Sequence, residues 1–142
     1  MSTKLLLLAL LYMFQPETLT MRGRVECDTG PKGIGKLEAG KINCVFKEDE
    51  GKIWPLTRSV TSESIFVDKR IQKRYLEVDA GLSGNGAVDV YQIRSIIDGV
   101  IHDAHYWCDT CAIRSNSPGP CWCCYQPFEF REAPIGPAGT ID

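Results

Sequence analysis

The sequence has no apolar run long enough to cross a bilayer. Its longest, residues 5–14, has ten residues, against roughly twenty for a spanning helix. Nor does one charge prevail. Sixteen Lys and Arg face eighteen Asp and Glu, for a net −2, so no global field draws the chain to nucleic acid or to an anionic membrane. The local run of Lys69, Arg70, Lys73 and Arg74 reads as a solvated helix face. Histidine is scarce. On a strand, His102 would face away from both Asp103 and His105, so these three do not converge on one site. No catalytic motif stands out. The segment 30–37 (GPKGIGKL) nearly matches a phosphate-binding loop, but Leu37 stands where a magnesium-binding Ser or Thr belongs, and no long helix follows. A flexible inter-strand loop is the expectation. Trp54, Phe66, Tyr75 and Tyr91 could stack bases, but there is no basic track beside them, so they are expected to pack the core.

Cysteine, by contrast, is abundant. Five of the seven cysteines lie within residues 108–124. Cys108, Cys111, Cys121 and Cys124 form C-x2-C-x9-C-x2-C, with Pro118, Gly119 and Pro120 stiffening the approach to the second pair. Two such pairs across a short loop can surround one metal ion. Bonds of about 2.3 Å to tetrahedral zinc require sulfurs about 3.5–4 Å apart. Zinc is the expected metal, with copper(I) or an iron–sulfur centre as alternatives. Four protein thiolates leave no open position, so such a site staples rather than catalyses. Cys123 is supernumerary: a substitute ligand for Cys124, a cap or a free thiol.

A different chemistry competes. Trp107 before Cys108-Asp109-Thr110-Cys111 resembles a thioredoxin-type redox motif, which would make Cys108 and Cys111 a thiol–disulfide couple. That chemistry activates the first thiol at a helix N-terminus, inside a βαβ framework. Here a turn-forming stretch, 115–120 (SNSPGP), follows too soon for such a helix.

Lys4 followed by the apolar run 5–14 suits a signal peptide, which places the chain outside the cytosol. The stretch after it, Gln15-Pro16-Glu17-Thr18, offers no small-x-small cleavage site, and an uncleaved apolar segment is the alternative. Outside the cytosol disulfides compete with metal. Seven cysteines cannot all pair within one chain. Cys27 and Cys44 would form a disulfide if their strands pair in register.

Alternation and turn signals give the elements. Strands are expected at 18–27, 41–46, 52–56, 75–79, 87–97, 100–107 and 127–132. Pro55 marks the edge or end of the third. A bulge is expected near Ile93, where the alternation of the fifth strand slips. Asp98-Gly99 marks a hairpin. One helix is expected within 61–74, capped by Ser62 or Ser64. A helix between the third and fourth of these strands is the pattern of the OB fold.

Several segments together resemble a group of uncharacterised bacterial exported proteins. They are GKIWPL (51–56), FVDKR (66–70), LEV (76–78), IIDG (96–99), YWCDTCAIR (106–114) and PGPCWCC (118–124). The resemblance spans about 18–132 and implies a small OB-like barrel with a C-terminal cysteine cluster, and export. It implies no substrate. The expected organisation is therefore mainly β. Residues 1–17 are a signal peptide or apolar segment, 18–107 an OB-like antiparallel barrel with one short helix, 108–132 a zinc-ribbon-like knuckle with a final strand, and 133–142 a loose tail. The expected function is a structural or binding module whose partner is unknown, with no nucleic acid and no membrane span after signal cleavage.

Overall fold

Every second residue in the middle of the first strand is buried, and that period organises the sheet. The computed structural model describes residues 17–28 and 42–139. Most of the signal-peptide segment and the whole phosphate-loop-like stretch lie outside the described residues. Strand β1 (Thr18–Asp28) buries Met21, Gly23 and Val25. Its C-terminal half pairs antiparallel with β2 (Asn43–Glu48), and its N-terminal half with β4 (Leu76–Leu82). Both ladders meet at Gly23, which lies opposite Glu48 and Leu76. A Cβ there would sit 1.9 Å from the Lys47 carbonyl oxygen, so only glycine allows the strands to come this close.

The sheet continues outward on both sides. Strand β3 (Ile53–Pro55) flanks β2, while β5 (Val88–Ile97) and β6 (Val100–Cys108) follow β4. Along β6, one edge serves two partners: β5 pairs with residues 100–103, and β7 (Ile113–Ser115) with 106–108. The other edge carries β8 (Glu129–Pro137). Between β3 and β4 stand two short helices, α1 (Glu63–Val67) and α2 (Lys69–Gln72). Ile65, Phe66 and Ile71 from these join Met21, Val25, Phe46, Leu76, Val78, Val88 and Val90 in the core.

This is the mainly β, OB-like strand order, but the barrel is not closed. Closure would need β3 to run along β5. Only Leu56 and Val88 form a parallel bridge, together with the Thr57 amide donating to the Val88 carbonyl at 2.9 Å. Pro55 ends β3 after three residues and has no amide to extend a ladder.

The expected single helix is two. Asp68, at φ −106° and ψ 109°, interrupts it. Its carboxylate accepts from the Arg70 amide at 2.9 Å and from the Tyr106 hydroxyl at 2.6 Å. Ser62 does occupy the first N-cap, but its hydroxyl donates to the Thr57 carbonyl instead of capping. The bulge falls at Tyr91: Asp79 faces Gln92 and Ala80 faces Val90. The buried positions then switch from Val88 and Val90 to Ile93 and Ser95. Asp98 (φ 50°) and Gly99 (φ 74°) form the expected hairpin turn.

The segment expected as a loose tail is instead strand as far as Pro137. Its prolines fit because, among the described residues, no strand pairs with the far edge of β8 and needs an amide donor there. Of the four aromatics, Phe66 is buried, Trp54 and Tyr75 are half-buried and Tyr91 is exposed. Core packing thus holds for Phe66 and partly for Trp54, whereas Tyr75 lines a surface cleft and Tyr91 is exposed.

The outer face carries a rung of charge that sequence reading missed. Arg22, Glu77 and Arg94 lie side by side on β1, β4 and β5. Both arginines bridge Glu77 at 2.8 Å, and Arg94 also holds Asp79 at 2.8 Å. Such cross-strand pairs fix register.

Candidate metal centre

Strand β6 ends on Cys108, and β7 starts on its partner Ile113. Residues 109–112 form the turn between them. The amides of Cys111 and Thr110 donate to the Cys108 sulfur. Ala112, just after Cys111, takes the left-handed conformation at φ 53°.

The second turn repeats this arrangement thirteen residues on. Pro120 and Pro127 bridge the two arms, and the Cys121 amide donates to the Gln126 carbonyl at 2.7 Å. Cys121 thus faces Gln126 as Cys108 faces Ile113. The amides of Cys124 and Cys123 donate to the Cys121 sulfur. Tyr125, just after Cys124, is left-handed at φ 62°. Gly119, at φ 132°, turns the chain into this second hairpin through a region that side chains disfavour.

The two turns bring their sulfurs together. Cys108, Cys111, Cys121 and Cys124 each offer a sulfur, all within 4.8 Å of one another. The Cys108 and Cys124 sulfurs are 3.5 Å apart. Cys108 and Cys121 are buried, Cys111 and Cys124 half-buried, and Cys123 exposed. The four could hold a metal ion. Cys123 is outside this convergent set.

The thiols do not titrate alike. At Cys121 burial pushes the pKa up, but the amides of Cys124 and Cys123 outweigh it and bring the thiol down to about 7. At Cys108 the Cys111 amide pulls down, yet burial and the neighbouring Cys124 and Cys121 sulfurs win and the net shift is upward. Cys111 is raised by its contact with Cys123, then by burial and the other sulfurs. Crowded thiols resist ionising together. A cation among them would supply the charge that lets all four become thiolates.

The rest of the site ties the turns to the sheet. Tyr106, two residues before Cys108, is 1% exposed and packs on Phe130 of β8 at 5.4 Å between ring centres. The Trp107 indole donates to Asp109 at 2.9 Å, and Arg131 of β8 bridges Asp109 at 2.8 Å. Arg74 pairs with Glu132 through two hydrogen bonds, 2.8 and 2.7 Å. Arg70 lies over the Phe130 ring, 4.5 Å from its centre. The basic run expected as a plain solvated face therefore uses two of its arginines to fasten α2 and its end.

The other sequence candidates resolve separately. No helix follows Cys108: a turn and β7 do, so the helix dipole that activates a thioredoxin-type thiol is missing. Asp103 and His105 share a face, with Asp103 Oδ2 3.4 Å from His105 Nδ1. His102 Nδ1 instead meets the Val100 carbonyl at 2.9 Å. Cys27 and Cys44 lie directly opposite on β1 and β2 and form a disulfide, which is compatible with an oxidising, exported location. A cleft of about 410 Å³, lined by Thr20, Arg22, Glu48, Asp49 and Tyr75 among others, shares no residue with the sulfur cluster. Among the described residues, no helix is long and apolar enough to cross a membrane.

No protein-family model, curated protein or solved structure matches the chain.

Proposed function

We propose that this chain is a small exported β module in which Cys108, Cys111, Cys121 and Cys124 bind one structural zinc ion. One observation carries the reading: two C-x2-C turns of the same form, each aiming two amides at its first sulfur, with the four sulfurs within 4.8 Å. Amide donors stabilise thiolate, and a set of four sulfurs suits zinc among abundant cations. With all four positions filled by protein, the ion holds the turns together and polarises no substrate. It would keep the exposed Trp122 and Tyr125 on a rigid projection suited to docking. Export is supported by the Cys27–Cys44 disulfide and by the charged-then-apolar start of the chain.

Elemental analysis of the purified full chain tests the reading. One zinc per chain, removed by a chelator and lost in Cys121→Ser, is the expected result. Metal-free protein with disulfides within each C-x2-C pair would overturn it in favour of redox chemistry. Copper(I) or iron with sulfide at stoichiometric amounts would replace zinc with one of those centres.

A further inference from the structure

Strand β1 changes partners at Gly23. Residues 23–28 pair with β2 and residues 18–23 with β4, on opposite edges. On the β2 side the last link is the Asp49 amide, which donates to the Arg22 carbonyl at 3.2 Å. Along a strand, successive residues turn their main-chain groups to opposite edges. Thr18, Thr20 and Arg22 therefore face the β2 side, while Leu19 and Met21 face β4. The next ladder agrees. The Ile96 amide donates to the Tyr75 carbonyl at 2.8 Å, which turns the odd-numbered residues of β4 toward β5 and the even-numbered ones toward β1. Beyond Asp49, among the described residues, no strand lies beside Thr18 and Thr20, and no loop takes their amides or carbonyls.

This open edge borders the cleft of about 410 Å³, where Thr20 and Arg22 line one side and Glu48, Asp49 and Glu50 of the turn after β2 line the other. Ligand sites are commonly about 300–1,000 Å³. The charge of the cleft is one-sided. The Arg22 guanidinium is committed to Glu77 at 2.8 Å and to the Gly139 carbonyl. Asp49 accepts from the Tyr75 hydroxyl, which fixes its carboxylate at the rim. Glu48 and Glu50 have no ion-pair partner among the described residues. Main-chain groups without a partner and carboxylates without a cation thus meet in one place.

We propose that the open edge of β1 binds an extended basic peptide as an added strand, its main chain pairing with Thr18 and Thr20 and its lysine or arginine side chains meeting Glu48, Asp49 and Glu50. The site stands apart from the four-thiolate reading, because it shares no residue with the sulfur cluster.

The peptide runs antiparallel to β1 and continues the line that β2 leaves at Asp49, about 4.8 Å from β1. Thr18 and Thr20 each exchange two N–H···O bonds with one peptide residue. These bonds hold any extended main chain and supply the affinity, as in other cases of strand addition. The acids choose the sign of the sequence. A glutamate-rich peptide would set like charges against Glu48 and Glu50, whereas a basic one supplies the cations they lack. Only alternate amides of the peptide face β1; the others face solvent.

The test uses the full chain and a fluorescein-labelled hexapeptide alternating lysine and valine. Fluorescence anisotropy measures binding, and NMR hydrogen exchange follows the amides of β1. The expected result is saturable binding that weakens with salt and slows exchange at Thr18 and Thr20, with Leu19 and Met21 already slow in the free protein. The double variant Glu48→Gln, Glu50→Gln should melt like the parent and bind about fivefold more weakly, as for two exposed charge pairs. Two further peptides carry N-methyl groups on the lysine amides or on the valine amides. One of them should lose binding and the other keep it. Equal effects of the two methylated sets would overturn the proposal, because the peptide would then be held by charge without strand pairing. So would equal binding of a peptide alternating glutamate and valine, or no saturation up to about 1 mM peptide. Exchange at Thr18 and Thr20 that slows with protein concentration alone would also overturn it, by making a second copy of the chain the occupant.

Discussion

Tyr106→Phe should cost about 2 kcal/mol at neutral pH, by breaking the bond that joins the root of the cysteine turns to the helices. The Tyr106 hydroxyl donates to Asp68 Oδ2 at 2.6 Å, with both residues buried. Hydrogen bonds to a charged partner contribute about 1.5–3 kcal/mol. Asp68 keeps its bonds from Arg70, so its carboxylate is not left bare and the top of that range does not apply. The ring remains against Phe130 and leaves no cavity. For a chain of this size about 2 kcal/mol lowers the melting temperature by roughly 8 °C.

The pH dependence of that deficit is the sharper test. Burial would raise the Asp68 pKa, but hydrogen bonds from Arg70 and Tyr106 more than offset it and hold the carboxyl below its usual range. The Asp68 contribution is therefore complete above its unfolded pKa of about 3.9 and lost as pH falls through the lower folded value. Tyr106 moves the other way. Burial first, then Asp68, raises its pKa, so its contribution is complete below about 10 and lost as pH rises further. Parent minus variant should thus plateau between about pH 5 and 9 and shrink on both sides. Urea denaturation across pH, with both proteins in the same metal state, measures it. A deficit under about 0.5 kcal/mol at pH 7, or one that stays flat down to pH 2.5, would refute the argument.

Three further outcomes are expected. In zinc-loaded protein, Cys111→Ser should lower the melting of the whole sheet, because β6 and β8 leave the turns as paired strands; calorimetry with limited proteolysis checks it, and parent-like melting with cleavage only after Cys108 would make the turns an independent appendage. Replacing Cys27 and Cys44 together by serine should cost about 3 kcal/mol in denaturant titrations, the loss expected when a loop of this size is no longer cross-linked, since the bridge spans a sequence separation of 17. Gly23→Ala should destabilise by about 1–3 kcal/mol, because its methyl would need space held by the Lys47 carbonyl; thermal melting of the variant within a degree or two of the parent would show that β1 and β2 shift apart freely.

What the sequence made legible was local. Alternation located the strands, Asp98-Gly99 the hairpin, and cysteine spacing the cluster. The misses needed contacts distant in the chain. The phase slip in β5 shows in sequence at Ile93, the first residue of the new phase, whereas the extra residue is Tyr91 upstream. The break between α1 and α2 comes with Asp68 binding Tyr106, 38 residues away. The rung of Arg22, Glu77 and Arg94 spans three strands and exists only once their register is set. Prolines made 133–137 look like a tail, because nothing in that segment announces that it lies on an edge where amides are not required.

The two turns carry one more argument about the cluster. Ala112 and Tyr125 share no chemistry, yet each is left-handed at the residue after the second cysteine of its pair. Non-glycine residues held there cost on the order of 1–3 kcal/mol apiece. Had local sequence chosen the conformation, glycine or asparagine would be expected at these positions. The same strained conformation at equivalent places instead points to a shared demand. That demand is the path each chain must follow to turn two amides onto its first sulfur and still re-enter a hairpin. Strain repeated in this way persists where the surroundings over-determine it. Four sulfurs gathered on one cation would be surroundings of that kind, binding both turns at once.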